Sequence, residues 1–279
     1  MDLYGIIGYP VKHSLSPLMH NAAFKELGID AEYKKFEVRP EELEDFFDKL
    51  DQANIKGLNV TVPYKEKVLD FIKLDQKSFY LRNVKAVNTL VKTDQAWKGF
   101  NTDIPGFLKH LKELGFDAED KKIAMLGAGG GSRAVSYALA NKGAQSIDIF
   151  DIDKDKAQRL AEMLKSLFSG FLIKVVDNID ELDIPSKDAL INATPIGLNK
   201  NDPCLVDKKM IHKDLFVYDL IYNPAETKLL SLAKAAGARY SNGLGMLLYQ
   251  GVLSFTHWTS RKAEEVIGIM RKTLDNALK

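Results

Sequence analysis

The sequence predicts an α/β fold in two domains, each built on a mostly parallel sheet with helices packed against it. Three observations predict it. Short apolar runs of strand length alternate with amphipathic helical runs along most of the chain, the pattern of β-α-β crossovers. A glycine cluster at Gly127, Gly129, Gly130 and Gly131 restarts that alternation in mid-chain. Residues 245–279 read as two helices without strands, so they do not extend a doubly wound sheet and are expected to return to the first domain.

In chain order, residues 3–8 form the first predicted strand. Ser16-Pro17 then supplies an N-cap and a first helical residue for a helix that stops near Gly28. Strand 32–38, helix 40–50 and strand 57–62 repeat the alternation, and Pro63 ends the third strand. Residues 86–91 and 96–100 flank the polar stretch Lys92-Thr93-Asp94-Gln95 and are expected to pair as a hairpin. Helical signals resume near Thr102. From Lys121 a second rhythm begins: strand 123–126, the glycine turn, helix 133–141, strand 146–150 and helix 154–168. Further strands are expected at 172–176, 189–192 and 216–220. The domains are therefore assigned as 1–103 with 245–279, and 104–244.

Composition bounds the partners. Of 279 residues, 46% are hydrophobic and 28% charged, enough for a substantial core. A formal net charge of +1 gives no whole-molecule field for nucleic acid or an anionic membrane, so a small-molecule partner is expected, on a monomer or a homodimer. The first eight residues show neither a basic leader nor a cleavable apolar segment, and a cytoplasmic location is the default expectation. Cys204 is the single cysteine and the five histidines are scattered, so neither a disulfide nor a metal site is expected.

Gly127-Ala128-Gly129-Gly130-Gly131-Ser132 follows a buried-looking strand and precedes a helix, the setting of a Rossmann-like dinucleotide-binding turn. Glycines let the backbone approach a pyrophosphate, whose charge then meets the free N–H groups of the helix N-terminus. Asp151 and Asp153 follow the next strand, roughly two dozen residues past the first glycine, where a carboxylate accepts hydrogen bonds from ribose hydroxyls. Such a charge repels a 2′-phosphate, and no arginine stands at 151–153 to clamp one. NAD is therefore favoured, with NADP as the alternative. Lys154 and Lys156 lie nearby, but lysines on an exposed helix are more often a solvated face.

In the first domain, polar motifs stand where strands end: Ser14-Leu15-Ser16-Pro17, Asn59-Val60-Thr61-Val62-Pro63, Lys65, Asn88-Thr89 and Asn101-Thr102-Asp103. Ligands of open α/β sheets collect at the carboxyl ends of strands. Ser14 and Ser16 offer hydroxyl donors to an anion, Asn59 and Asn88 bond hydroxyls both ways, and Lys65 with Asp103 supplies charge of both signs. Taken singly, Ser16 reads as a cap, Asn88 as a turn residue, Lys65 as a surface amine and Asp103 as an N-cap. Their joint occurrence points to a site.

These motifs, NVTVPYK at 59–65, AVNT at 86–89, NTD at 101–103 and SLSP at 14–17, together resemble the shikimate dehydrogenase family. The resemblance runs on through NATPIG at 192–197, Asp219 with Tyr222-Asn223-Pro224, and GLGML at 243–247 with Gln250-Gly251, and so covers essentially the whole chain. It implies reversible, nicotinamide-dependent reduction of 3-dehydroshikimate to shikimate, a step of aromatic amino acid biosynthesis. By the same resemblance, Ser14, Ser16 and Tyr222 meet the substrate carboxylate. Asn59, Thr61, Asn88, Asp103 and Gln250 hold its ring hydroxyls, and Lys65 faces the reacting oxygen. Lys65 and Asp103 are the expected catalytic pair, either of which carries the proton. Gly127, Ala128, Gly129, Gly130, Gly131, Asp151, Thr194, Gly243 and Met246 are implied to line the dinucleotide.

One departure stands out. NADP-using members of the family carry an Asn-Arg-Thr segment where this chain has Asp151-Ile152-Asp153. NAD-accepting relatives tend to be acidic there, and some of them also oxidise quinate, so an NAD-dependent quinate/shikimate dehydrogenase of catabolic type is the alternative activity. Ser14 and Ser16 match the shikimate type instead. A non-catalytic binding protein on the same fold has no need of the acid–base pair at Lys65 and Asp103.

Overall fold

The computed structural model describes residues 1–50, 53–72 and 83–278. Its elements in chain order are β1 (Asp2–Gly8), α1 (Ser16–Glu26), β2 (Ala31–Glu37), α2 (Leu43–Leu50), β3 (Ile55–Val60), β4 (Thr89–Lys92), β5 (Trp97–Phe100) and α3 (Asp103–Glu113). There follow β6 (Lys122–Leu126), α4 (Gly130–Asn141), β7 (Ser146–Phe150), α5 (Lys154–Leu167), β8 (Leu172–Val175) and β9 (Ala189–Asn192). The chain ends with β10 (Phe216–Asp219), α6 (Lys228–Ala235), β11 (Arg239–Ser241), α7 (Leu244–Thr259) and α8 (Ala263–Ala277). It divides into two compact units, Met1–Gly106 with Leu247–Lys279, and Phe107–Met246.

The first unit holds a five-stranded sheet in the order β2-β1-β3-β4-β5. β1 pairs in parallel with β2 and β3, and β4 pairs antiparallel with β3 and β5, so β4 alone runs against the rest. β1 reads as a near-continuous apolar run because it is central: Tyr4, Ile6 and Ile7 are all buried. Glycines let rings lie flat on this sheet. A Cβ on Gly5 would stand 2.3 Å from the Phe36 ring, and one on Gly57 would stand 2.2 Å from the Trp258 indole nitrogen. That indole, on α7, donates to the Leu90 carbonyl at 2.9 Å, and α8 packs against α1. From Leu247 on, the two last helices belong to the first unit, where they cover its sheet and first helix.

Two local expectations change. Ser16 does not cap α1. Leu15 stands at the N-cap, Ser16 is the first helical residue and only 2% exposed, and the Ser16 N–H is taken up by the Ser14 hydroxyl oxygen at 3.2 Å. The helix expected at 40–50 starts as a 3-10 turn, Pro40–Glu42, and becomes α-helical from Leu43. The stop near Gly28 is a left-handed turn: Gly28 has φ +64, and the Ile29 N–H reaches back to the Phe24 carbonyl at 2.9 Å.

The second unit holds a six-stranded sheet, order β11-β10-β9-β6-β7-β8, with every pair parallel. In order of appearance that is 3-2-1-4-5-6, the doubly wound Rossmann arrangement, whose strand order reverses between β6 and β9. Its core joins Ala124, Leu126, Leu190 and Val217 from the central strands to Leu182, Leu229 and Leu230. β11 gives no sequence signal, being three residues, Arg-Tyr-Ser, on an exposed edge.

Candidate active site

Topology gathers the polar motifs of the first unit. β1, β3 and β5 run in one direction, so the segments leaving them, which carry Ser14 and Ser16, Thr61 and Lys65, and Asn101 to Asp103, emerge at one edge. β4 runs the other way, so Asn88, which precedes it, stands at that same edge. Backbone hydrogen bonds hold these segments to one another: Val87 N–H to Lys65 O at 2.7 Å, Thr61 N–H to Ile7 O at 2.9 Å, and Asn88 N–H to Phe100 O at 3.1 Å.

Lys65 Nζ donates to Asp103 Oδ2 at 2.6 Å, with the side chains 13% and 6% exposed. An ion pair so far removed from water is screened little by salt and is geometrically demanding. Asp103 is free for this role because Asn101 holds the helix start: its Oδ1 accepts from Ile104 N–H at 3.1 Å and its Nδ2 donates to Ala86 O at 2.8 Å. The second oxygen of Asp103 accepts from Asn88 Nδ2 at 2.9 Å. Asn88 cannot be turned over, because its Oδ1 accepts the backbone N–H of Thr102 at 2.7 Å. The same Nδ2 lies 2.9 Å from Thr102 Oγ1 and 3.3 Å from Gln250 Oε1. The structure therefore brings Lys65, Asn88, Asp103 and Gln250 together.

Asn59 takes a different place. Its Nδ2 faces Ser254 Oγ at 2.9 Å, Asn88 O at 3.1 Å and Thr89 Oγ1 at 3.2 Å, while its Oδ1 accepts from the Tyr33 hydroxyl at 2.8 Å. With this carboxamide bonded inside the protein and the residue 4% exposed, Asn59 braces the site from beneath. Thr89, which the sequence marked only as part of the Asn88-Thr89 motif, joins this layer with Ser254 and Tyr33, which it did not mark, since a serine and a tyrosine inside apolar elements look like any others. Ser14 and Thr61 are half-buried; Ser14 keeps its hydroxyl proton while its oxygen accepts from Ser16 N–H.

In the second unit the glycine turn leaves β6 and opens α4. Gly127 has φ +96, and a Cβ there would stand 3.1 Å from the Ala193 backbone, so glycine is required. Ser132, fully buried, donates to the Gly127 carbonyl and ties turn to helix. Space is open beyond Gly129, where an added Cβ meets nothing within 4 Å. The first-turn amides of α4 have no intrahelical acceptor. A bare turn, free amides and open space fit a pyrophosphate. Asp151 Oδ2 accepts from Ala128 N–H at 2.6 Å and Oδ1 from Asp153 N–H at 2.8 Å, fastening the end of β7 to the turn. Asp153 is spent as the N-cap of α5, accepting from Lys156 N–H at 3.1 Å, and that bond, with the Lys156 ammonium, holds its carboxyl below the usual range. Lys154 pairs with Asp177 and Lys156 with Asp153.

Across the reversal point, β9 ends in Asn192, whose Oδ1 accepts from both the N–H and the hydroxyl of Thr194, at 3.1 and 2.7 Å. Asn192 Nδ2 donates to Asp219 Oδ1 at 3.0 Å, which also accepts from Ile221 N–H; Thr227 Oγ1 donates to Oδ2 at 2.7 Å. Burial pushes the Asp219 carboxyl up to about 6 against the pull of these three donors. Asp219→Ala strands all three and is expected to cost about 3 kcal/mol, against about 1 for Asp219→Asn, read from urea unfolding. Gly243 is needed because the Leu220 carbonyl passes 2.1 Å from where its Cβ would stand. Tyr222 follows β10 in this unit, and Met246 is buried near the start of α7.

Among the described residues no group of three metal-ligating side chains comes together, and no helix is long and apolar enough to cross a membrane. Residues 6–90 match the shikimate dehydrogenase substrate binding domain, and residues 243–274 the shikimate 5′-dehydrogenase C-terminal domain. The shikimate dehydrogenase (NADP(+)) of Methanopyrus kandleri is 44% identical over 279 residues, 98% of this chain and 94% of its own. The crystal structure of shikimate dehydrogenase from Aquifex aeolicus shares the fold with a TM-score of 0.88 at 39% identity, covering 98% of this chain and 97% of that one. Shikimate 5-dehydrogenase from Listeria monocytogenes, solved in complex with shikimate and NAD, gives 0.84 at 33% identity over 98% and 96%. With 44% identity over 98% of the chain and a shared fold over the same length, the chain belongs to the shikimate dehydrogenase family.

Proposed function

We propose that this protein reduces 3-dehydroshikimate reversibly to shikimate with a nicotinamide dinucleotide, a step toward the aromatic amino acids. The observation that carries the reading is the Lys65–Asp103 pair at 2.6 Å, fixed by Asn88 and bordered by Gln250. Ser14, Ser16 and Tyr222 take the substrate carboxylate; Thr61, Asn88, Asp103 and Gln250 take its ring hydroxyls. The bound dinucleotide supplies the hydride in one direction and accepts it in the other. Residues fit to hold it are Gly127, Ala128, Gly129, Gly130, Gly131 and Asp151, with Thr194, Gly243 and Met246.

Negative charge develops on the ketone oxygen as the carbonyl is reduced, and an ammonium beside it stabilises the transition state more than the ground state. Both oxygens of Asp103 accept, one from Lys65 and one from Asn88, so Asp103 is the ionised acceptor and Lys65 holds the proton. In reduction that proton passes from Lys65 Nζ to the oxygen, and in oxidation it returns.

Asp151 and the residue after it support NAD as the preferred dinucleotide. Ile152 is an isoleucine, 96% exposed, and offers no cation to a 2′-phosphate. The name of the Methanopyrus kandleri relative speaks for NADP(+) and the bound dinucleotide of the Listeria monocytogenes structure for NAD. Steady-state rates with shikimate and quinate, each with NAD and NADP, decide between them. Shikimate with NAD is expected to give kcat/KM at least about tenfold above the other three combinations, the size of one lost charge-assisted contact. A preference for NADP overturns the reading of Asp151, a preference for quinate overturns the substrate, and no turnover in any combination overturns the function.

A further inference from the structure

We propose that Ser254 is a positioning residue of the reaction: through the hydroxyls of Thr89 and Thr102 it fixes the orientation in which Asn88 holds Asp103. The proposal rests on the function proposed above.

Ser254 sits on α7 one turn beyond Gln250 and is fully buried. Four polar atoms surround its Oγ: Thr89 Oγ1 at 2.8 Å, Asn59 Nδ2 at 2.9 Å, Gln250 O at 3.0 Å and Thr102 Oγ1 at 3.2 Å. A hydroxyl has one proton and two lone pairs, which orders these contacts. The Gln250 carbonyl can only accept, so it receives the Ser254 proton. Asn59 Nδ2 can only donate, so it takes one lone pair. The second lone pair goes to the nearer threonine, and Thr89 donates to it.

That assignment reaches the catalytic pair. Thr89 Oγ1 lies 3.3 Å from Asn88 Oδ1, but its proton is already committed to Ser254. Asn88 Oδ1 is therefore left to the backbone N–H and the hydroxyl of Thr102, at 2.7 and 3.2 Å. Its two amide protons then point at Thr102 Oγ1 and Asp103 Oδ1, both at 2.9 Å. Without Ser254, the Thr89 proton turns to Asn88 Oδ1 and competes with Thr102, and the hold on Asp103, and through it on Lys65, loosens. In a buried network a lost member unsettles its neighbours beyond its own bonds.

Ser254→Ala is expected to lower kcat about tenfold and raise the KM for shikimate a few-fold. The KM for the dinucleotide should stay within twofold of wild type, and the midpoint of the kcat–pH profile should move by about half a unit or more. A purely structural role would lower thermal stability and the active fraction without moving that profile. A second readout needs no turnover: the side-chain amide resonances of Asn88, identified by their loss in Asn88→Asp, should shift and broaden in Ser254→Ala. They should stay put in Thr256→Ala, whose hydroxyl bonds, among the described residues, only the Leu253 carbonyl. Wild-type rate constants with an unmoved pH profile, or unmoved Asn88 signals, overturn the proposal. If wild-type protein turns over no shikimate while the Asn88 signals still move, the function fails and the ordering of Asn88 by Ser254 stands. Should Ser254→Ala not fold, Ser254→Cys, whose sulfur accepts only weakly and so releases the Thr89 proton, must give the same pattern, and its normal behaviour overturns the proposal equally.

Discussion

Lys65→Ala is expected to lower kcat for shikimate oxidation by about a thousandfold while leaving dinucleotide affinity within a factor of two or so. The substitution removes the ammonium bonded to Asp103 and leaves that carboxylate, 6% exposed, with Asn88 as its remaining donor among the described residues. Asp103→Ala should cost about as much, since Lys65 then loses the partner that aims it. If the two work as a unit, the double variant is no slower than the slower single one, because removing the second member of a broken pair has little left to take away. Steady-state kinetics on the three variants, with dinucleotide titration as the control for folding, give the answer. Near-normal turnover in either single variant removes the pair from the mechanism, and multiplicative losses in the double variant dissolve the unit.

The second large effect is on acid stability. His20 is fully buried on α1, stacked on Tyr33 with ring centroids 4.5 Å apart and on Phe255 at 6.1 Å, with Trp258 tilted at 5.1 Å. Neither of its ring nitrogens has a hydrogen-bond partner among the described residues. Burial among rings pushes its pKa down from 6.5 to about 3. Between those values the unfolded chain binds a proton that the native state refuses, so stability is lost as pH falls from about 6.5 toward 3 and levels off below. Asp219 acts in the opposite sense: its carboxyl is raised from 3.8 to about 6, so its contribution is full below 3.8 and lost as pH rises through about 6. The His20 effect is therefore read as a difference. His20→Phe keeps a flat ring in the stack and should match wild type within about 1 kcal/mol at pH 7, yet exceed it by about 3 kcal/mol at pH 4, by urea unfolding. Equal loss in both proteins between those pH values would remove His20 as the cause.

Both effects arise where a polar side chain is buried; the sequence marked the Lys65–Asp103 pair but gave no sign of His20, one of five scattered histidines. The strand and helix alternation was legible because burial writes itself into period: β1 reads as an apolar run since both its faces are covered, and α5 reads as amphipathic since one face is. The glycine turn was legible because only glycine tolerates φ +96 beside the Ala193 backbone. β11 escaped notice, since three residues on an edge carry no period. Ser16 was misplaced by one position because a serine before a proline signals a cap whether or not its hydroxyl is used.

By itself the sequence determined the α/β class, the two rhythms, the glycine turn and the polar residues at strand ends, because these follow from local chemistry that needs no neighbour in space. Tertiary structure alone decided what each polar residue does. It assigned Asn101 to the helix start and so released Asp103, turned Asn59 inward onto Tyr33 and Ser254, and placed Asn88 between Thr102 and Asp103. The physical reason is that a hydrogen bond depends on distance and on which donors are already committed, and here the committed partners lie as far apart in the chain as Asn59 and Ser254.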